Sequence, residues 1–265
     1  MNIHNLKSFT TTVRQIATAI VSNGWGEATS GNFSWNITSE INKNTLEEMT
    51  EAEVYPSLVS YPELGGQVLL ISTSGSRMRT LAEGATEGFC LLLMSEDGKS
   101  FKCFGSNEIS AKGKPTSESP AHLEVHRFLK KMGKPDKAVL HTHMTEAIIA
   151  THHPDYKTEE ILNSVLKAMQ PEMTTFLPEG IGIVPYELPG SQKIGEATAE
   201  KIKNFDVVIW EKHGCFSVGR SLDEALDKQE IVAKSLQVLF RCIQYGYIPE
   251  GLTEKQLKEL RKTDG

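Results

Sequence analysis

Basic charge is scarce in this chain: 28 Lys and Arg stand against 34 Asp and Glu, a formal charge of −6 over 265 residues. A general nucleic-acid or anionic-membrane surface needs basic patches, so neither partner is expected. An anionic small molecule needs only a local site and stays open. No window holds 18 consecutive apolar residues, so no membrane-spanning helix is expected. The opening stretch MNIHNLKSFTTTVRQIATAI has no basic region leading into an apolar run, which argues against a signal peptide. Cysteine is sparse too. Cys90, Cys103, Cys215 and Cys242 form no CxxC and no dense framework, the pattern of reduced thiols in a cytoplasmic protein. Repeats, low-complexity tracts and Pro/Gly-rich linkers are absent as well.

What is present reads as one α/β domain spanning 1–265, with a central mixed, largely antiparallel sheet flanked by helices. Leu6, Phe9, Val13, Ile16 and Ile20 step by three and four, one face of an N-terminal helix. In NFSWNIT, Phe33, Trp35 and Ile37 alternate as a half-buried strand would. Residues 39–66 are polar and irregular, an inserted excursion with at most one short helix. QVLLIS and FCLLLMS are strands, the second turning through the Asp-Gly of EDGK into SFKCF. A helix is expected from near Ser117, then the strand KAVLHT, then GIGIVPY and DVVIW separated by the helix SQKIGEATAEKIKN. HGCFSVG reads as a turn and a strand. Ser221 and Glu224 make a capping box for a long helix through Tyr245, and LTEKQLKELRK is a short final helix.

The apolar run Ala138 to Leu140 leads directly into His141-Thr142-His143. Residues two apart on a strand share a face, so both imidazoles point one way and Thr142 the other. A second apolar run, Val207 to Trp210, ends just before His213, and Gly214 would let the backbone approach closely. Three imidazoles on two strand ends suit a three-His metal site with an open position, for which zinc fits best. A rival cluster exists. Glu118, His122 and His126 fall at i, i+4 and i+8 on one expected helix. Helix packing or a wet face accounts for those two histidines, whereas Glu118, at the first turn, can project into a site. His152 and His153 read as an exposed helix end, and His4 lies in the terminal stretch.

Three short stretches, TSGN (29–32), STSGS (72–76) and TSES (116–119), lie at transitions between elements. Small hydroxyl residues and glycine present N–H and O–H donors to an anion, although each alone also makes ordinary turns and caps. Together with a metal site they describe a pocket for a phosphorylated substrate.

In this order, TSGN, STSGS, PTSESPAH, HTH and KHG resemble the zinc-dependent class II aldolase and adducin superfamily, over about residues 29 to 219. Within it, the insertion and the segment EMTTFLPEGIGIVPY resemble a ketose-1-phosphate aldolase. The resemblance implies reversible aldol cleavage of a sugar phosphate by a homotetramer holding one zinc per subunit. It implies that His141, His143 and His213 ligate the zinc and that Glu118 is the acid/base, able to ligate the metal when substrate is absent. It implies that Glu172 reaches a neighbouring subunit's site. Gly31, Asn32, Ser74, Gly75 and Ser117 would surround the substrate phosphate and its dihydroxyacetone part. Thr29 stands where one branch of these aldolases carries asparagine, so the sugar stays open between branches, and a sugar-phosphate epimerase is the neighbouring alternative. Locally, Pro171 is expected to stop the preceding helix, leaving Glu172 at the start of an irregular segment. Two other classes remain at this point: a zinc hydrolase, which lacks its His-Glu-x-x-His helix here, and a non-catalytic adducin-like module, which predicts lost ligands.

Overall fold

The computed structural model describes residues 3–41, 46, 49–105 and 113–260. Its spine is a nine-stranded sheet in the order β2-β5-β4-β3-β1-β6-β9-β8-β7. The strands are β1 Asn32–Asn36, β2 Thr50–Pro56, β3 Val68–Ser72, β4 Phe89–Met94, β5 Ser100–Gly105, β6 Ala138–Thr142, β7 Gly182–Val184, β8 Val207–Trp210 and β9 Gly214–Gly219. All neighbours pair antiparallel except β7 and β8, which run parallel. The expected mixed, largely antiparallel α/β architecture is therefore the one observed.

Helices cover both faces. On one side lie α1 Ile3–Ser22, α4 Thr145–His152, α5 Glu159–Met169, α6 Pro171–Phe176 and α8 Leu222–Gln244. They bury Phe9, Val13, Ile16 and Ile20 of α1 and Leu236 of α8 against Phe33, Leu140 and Ile209 of the strands. On the other side α3 Ser119–Lys131 and α7 Gln192–Ile202 close Val125, Leu129 and Ile194 over Val139, Trp210 and Phe216. The chain also forms the short helices α2 Met78–Ala82 and α9 Glu254–Leu260 and two 3-10 turns, Pro62–Leu64 and Pro154–Lys157. None of the helices in the described residues is long and apolar enough to cross a membrane. The side chains of His4 and Leu6 lie outside the described residues.

Four local expectations need correction. The polar stretch 39–66 contains β2, an edge strand on β5, whose alternation is interrupted by a register shift between Glu51 and Val54. A helix, α6, begins at Pro171, so Glu172 sits in its first turn rather than in an irregular segment. Proline is tolerated there because the first helical N–H has no intrahelical acceptor to lose. The helix expected near Ser117 starts at Ser119, with Glu118 in the capping position. Finally, the polar face of β1 is not wet along its first half: Ser34 has no exposed surface, because α3 covers it, while Trp35 and Asn36 stay partly exposed.

Candidate active site

The site lies at one end of the central strands. Antiparallel pairing sets Asn32, the first residue of β1, opposite His141 near the end of β6. β9 pairs with β6 so that Cys215 faces Thr142. His213 falls in the three-residue turn joining β8 to β9, where its N–H donates to the Trp210 carbonyl at 3.0 Å. Lys212 takes the left-handed conformation (φ 60°) in that turn. Gly214 is required by space: a Cβ there would collide with the Thr142 carbonyl oxygen of the neighbouring strand. The close approach predicted from this glycine is to β6, and it brings His213 against His141.

The strand alternation places the side chains as expected. His141 packs on the α3 side of the sheet, its ring 4.6 Å from Trp210. Thr142 points to the opposite face, where its hydroxyl donates to Gln229 Oε1 of α8 at 2.6 Å. The Gln229 amide in turn donates to the Leu140 carbonyl at 3.0 Å, tying the end of β6 to the long helix. The three imidazoles of His141, His143 and His213 converge, each offering a nitrogen within 4.8 Å of the others.

Their hydrogen bonds decide which nitrogens face inward. His141 Nδ1–H donates to the Cys215 carbonyl at 2.9 Å, leaving Nε2 as a lone pair. That Nε2 is buried and has no hydrogen-bond partner. His143 Nδ1 lies 2.6 Å from Glu27 Oε1, which orients its ring in the same sense. Burial, followed by the neighbouring His143, pushes His141 down to about 3, and burial with His141 beside it pushes His213 down to about 4. Both rings are therefore neutral near pH 7, the state a metal ion needs.

Glu118 completes the arrangement. Its carboxylate oxygens lie 3.4 Å from His141 Nε2 and 3.5 Å from His213 Nε2. An acceptor lone pair on His141 facing a carboxylate is unfavourable with nothing between them, and a divalent cation is the species that relieves it. The donor set thus fits a metal. The Asn32 amide also holds the carboxylate, donating from Nδ2 to Glu118 Oε2 at 2.8 Å.

Beside these groups opens a cavity of about 240 Å³, and all three hydroxyl-rich stretches line it. Thr29 and Gly31 come from the turn before β1 and Asn32 from its first position, Thr73 to Ser76 from the turn after β3, and Thr116 to Glu118 from the approach to α3. A bridge between Thr73 and Pro115, with Ser74 N–H donating to the Lys114 carbonyl at 2.8 Å, joins the last two. Gly75 has φ 80° and open space where a Cβ would sit, so conformation rather than crowding calls for glycine. Gly31, Asn32, Ser74, Gly75, Ser117, Glu118, His143 and His213 are thus brought together, with His141 directly beneath. Glu172 is not. It is exposed on α6 and outside this cavity within one chain.

The rival cluster does not form. His122 and His126 are buried and bonded through Ser34, and neither joins the three-histidine group. Sequence reasoning missed Glu27, a single acidic residue in an irregular loop with no local pattern to mark it.

The class II aldolase and adducin N-terminal domain model matches residues 12–240. The chain belongs to that family. It is an aldolase, a carbon–carbon lyase. A rhamnulose-1-phosphate aldolase of Bacteroides thetaiotaomicron is 33% identical over 248 residues, 94% of this chain and 91% of its own. One from Listeria monocytogenes is 30% identical over 91% of this chain and 88% of its own. The crystal structure of a sugar-phosphate aldolase from Thermotoga maritima superposes with a TM-score of 0.79 at 31% identity, covering 93% of this chain and all of that one.

Proposed function

We propose that this aldolase cleaves L-rhamnulose 1-phosphate reversibly to dihydroxyacetone phosphate and L-lactaldehyde, with one zinc held by His141, His143 and His213. The observation that carries the chemistry is the unpartnered Nε2 of His141, aimed with His213 at the Glu118 carboxylate beside a hydroxyl-lined cavity. The relatives named as rhamnulose-1-phosphate aldolases support the choice of sugar.

When bound, the metal supplies Lewis-acid stabilisation of the negative charge that develops as the carbon–carbon bond breaks. The chain's own residues do the rest. Hydroxyls of Ser74 and Ser117 and the backbone at Gly31 and Gly75 offer donors to the phosphate, which fixes the reacting carbon relative to Glu118. Among the described residues that line the cavity, the donors available for that task are neutral. In cleavage, Glu118 delivers a proton to the carbon released from the broken bond; in synthesis it removes that proton. The hydroxyl that becomes the aldehyde must lose a proton, and Glu172 of a neighbouring subunit in a homotetramer is the group assigned to it.

Thr29 favours one alternative, L-fuculose 1-phosphate, because it lines the cavity and is the position at which the chain departs from the rhamnulose branch. A panel of ketose 1-phosphates offered to zinc-loaded protein, scored by dihydroxyacetone phosphate release, separates the two. Fastest turnover of rhamnulose 1-phosphate supports the proposal; preference for the fuculose ester transfers the assignment to that sugar; no cleavage of either ends it.

A further inference from the structure

Beyond Asn32, which holds the Glu118 carboxylate, runs a line of polar groups that packing alone does not require. Asn32 Oδ1 lies 2.6 Å from His122 Nε2. His122 Nδ1 lies 2.7 Å from Ser34 Oγ, and Ser34 Oγ lies 2.7 Å from His126 Nε2. Ser34 and His122 have no exposed surface, and His126 is 3% exposed. Polar groups this deeply buried are costly unless each finds a partner, and here each does.

Proton counting gives the line one direction. The Glu118 carboxylate only accepts, so Asn32 must present its Nδ2–H to it, as observed. Asn32 Oδ1 then needs a donor, which makes His122 the Nε2–H tautomer. Its Nδ1 is left as an acceptor, so the Ser34 hydroxyl donates to it. Ser34 has spent its only proton, and its lone pair accepts from Nε2–H of His126. Every donor dipole points towards Glu118.

We propose that His122, held in its Nε2–H tautomer by Ser34 and His126, is a positioning residue for catalysis. It locks the Asn32 amide so that Glu118 meets a donor and never the amide oxygen. Burial holds His122 well below its ordinary range, and it holds His126 down to about 3. Neither ring therefore carries a competing charge near pH 7. A protonated His122 would offer Nδ1–H to Ser34 and reverse the hydroxyl, breaking the order of the line. The proposal rests on Glu118 being the acid/base, as set out above, and it assigns a role to residues that never touch substrate.

Two measurements test it. The first is independent of activity: nitrogen-15 spectra of the imidazoles in the metal-free and zinc-loaded protein. His122 and His126 should both appear as neutral Nε2–H tautomers at pH 7. An Nδ1–H or cationic His122 overturns the proposal. The second is a pair of variants. His122→Leu removes the donor to Asn32 and should lower kcat roughly tenfold, the effect of losing one well-placed interaction in the transition state, with KM and zinc content unchanged. His122→Gln, whose amide nitrogen reaches the position of Nε2, should stay within about threefold of the parent. Equal losses in folded Leu and Gln variants, or a loss confined to KM, overturn it. If His122→Leu does not fold, Ser34→Ala takes its place: it frees the tautomer, so Nδ1–H should become populated at His122 and kcat should fall. An unchanged tautomer and kcat in Ser34→Ala also overturns the proposal. If no ketose phosphate is cleaved at all, the proposed reaction fails while the spectra still decide the direction of the line.

Discussion

Glu27 Oε1 lies 2.6 Å from His143 Nδ1, although 116 residues separate them in the chain. Burial would raise the Glu27 carboxyl, yet the hydrogen bond and charge of His143 hold it below its usual range. A carboxylate in this position fixes the ring and raises its basicity as a ligand. Glu27→Ala should therefore weaken zinc binding by about 10–100-fold while the fold persists. Competition against a chromophoric chelator measures this; unchanged affinity would show that His143 needs no such support.

Glu118→Gln keeps the acceptor for Asn32 Nδ2 but removes the carboxylate's proton-transfer capacity. Cleavage should fall by roughly 10²-fold or more, the usual scale for a positioned acid/base. Most of the metal should be retained, read by elemental analysis. Near-native turnover would move the role to another group.

Gly214 cannot accept a Cβ without pushing β9 away from the Thr142 carbonyl. Gly214→Ala should cost about 1–3 kcal/mol of stability, as overpacking does. It should also spread His213 from His141 and lower zinc affinity. Denaturant unfolding and metal titration check the two effects separately.

Acid should destabilise the metal-free protein through its buried histidines. His122, His126, His141 and His213 all lie below their ordinary 6.5, chiefly from burial. Below about pH 6.5 the unfolded chain takes up protons that the folded chain refuses, so stability present above that pH is lost as pH falls. For His126, down at about 3, the loss runs at up to about 1.4 kcal/mol per pH unit between roughly pH 6 and 4. Urea unfolding from pH 7 to 4 should show a slope reduced by close to one proton in His126→Gln. An identical slope would mean that His126 already titrates in the folded state.

Glu172 lies outside the cavity of its own chain, so its assigned role requires a neighbour. Glu172→Ala should slow cleavage with zinc content and assembly intact. Mixing inactive Glu118→Gln and Glu172→Ala chains should restore part of the activity, since some sites would draw both intact groups from different subunits. A fully active Glu172→Ala protein, or no recovery after verified subunit exchange, ends this assignment.

Much of this architecture was legible from short-range pattern. Continuous apolar runs such as Val207 to Trp210 mark strands covered on both faces, period-three-and-four runs such as Phe9 to Ile20 report which helix face is apolar, and apolar faces must be buried whatever the partner. The same rule placed His141 and His143 on one side of β6 and Thr142 on the other, and the hydroxyl-rich stretches marked the cavity's rim. The pattern fails where a buried face is polar. Ser34 and Asn36 alternate with Phe33 and Trp35, which reads as a wet face. His122 and His126, about ninety residues away, satisfy Ser34 and bury it, and nothing local to β1 announces them. Glu27 is hidden for the same reason. Hydrophobic periodicity is a property of a segment, whereas a hydrogen bond between distant side chains exists only once the sheet has brought its strands into register. The sequence by itself determined the elements and the kinds of atoms available for chemistry; only the tertiary structure decided which of those atoms face one another.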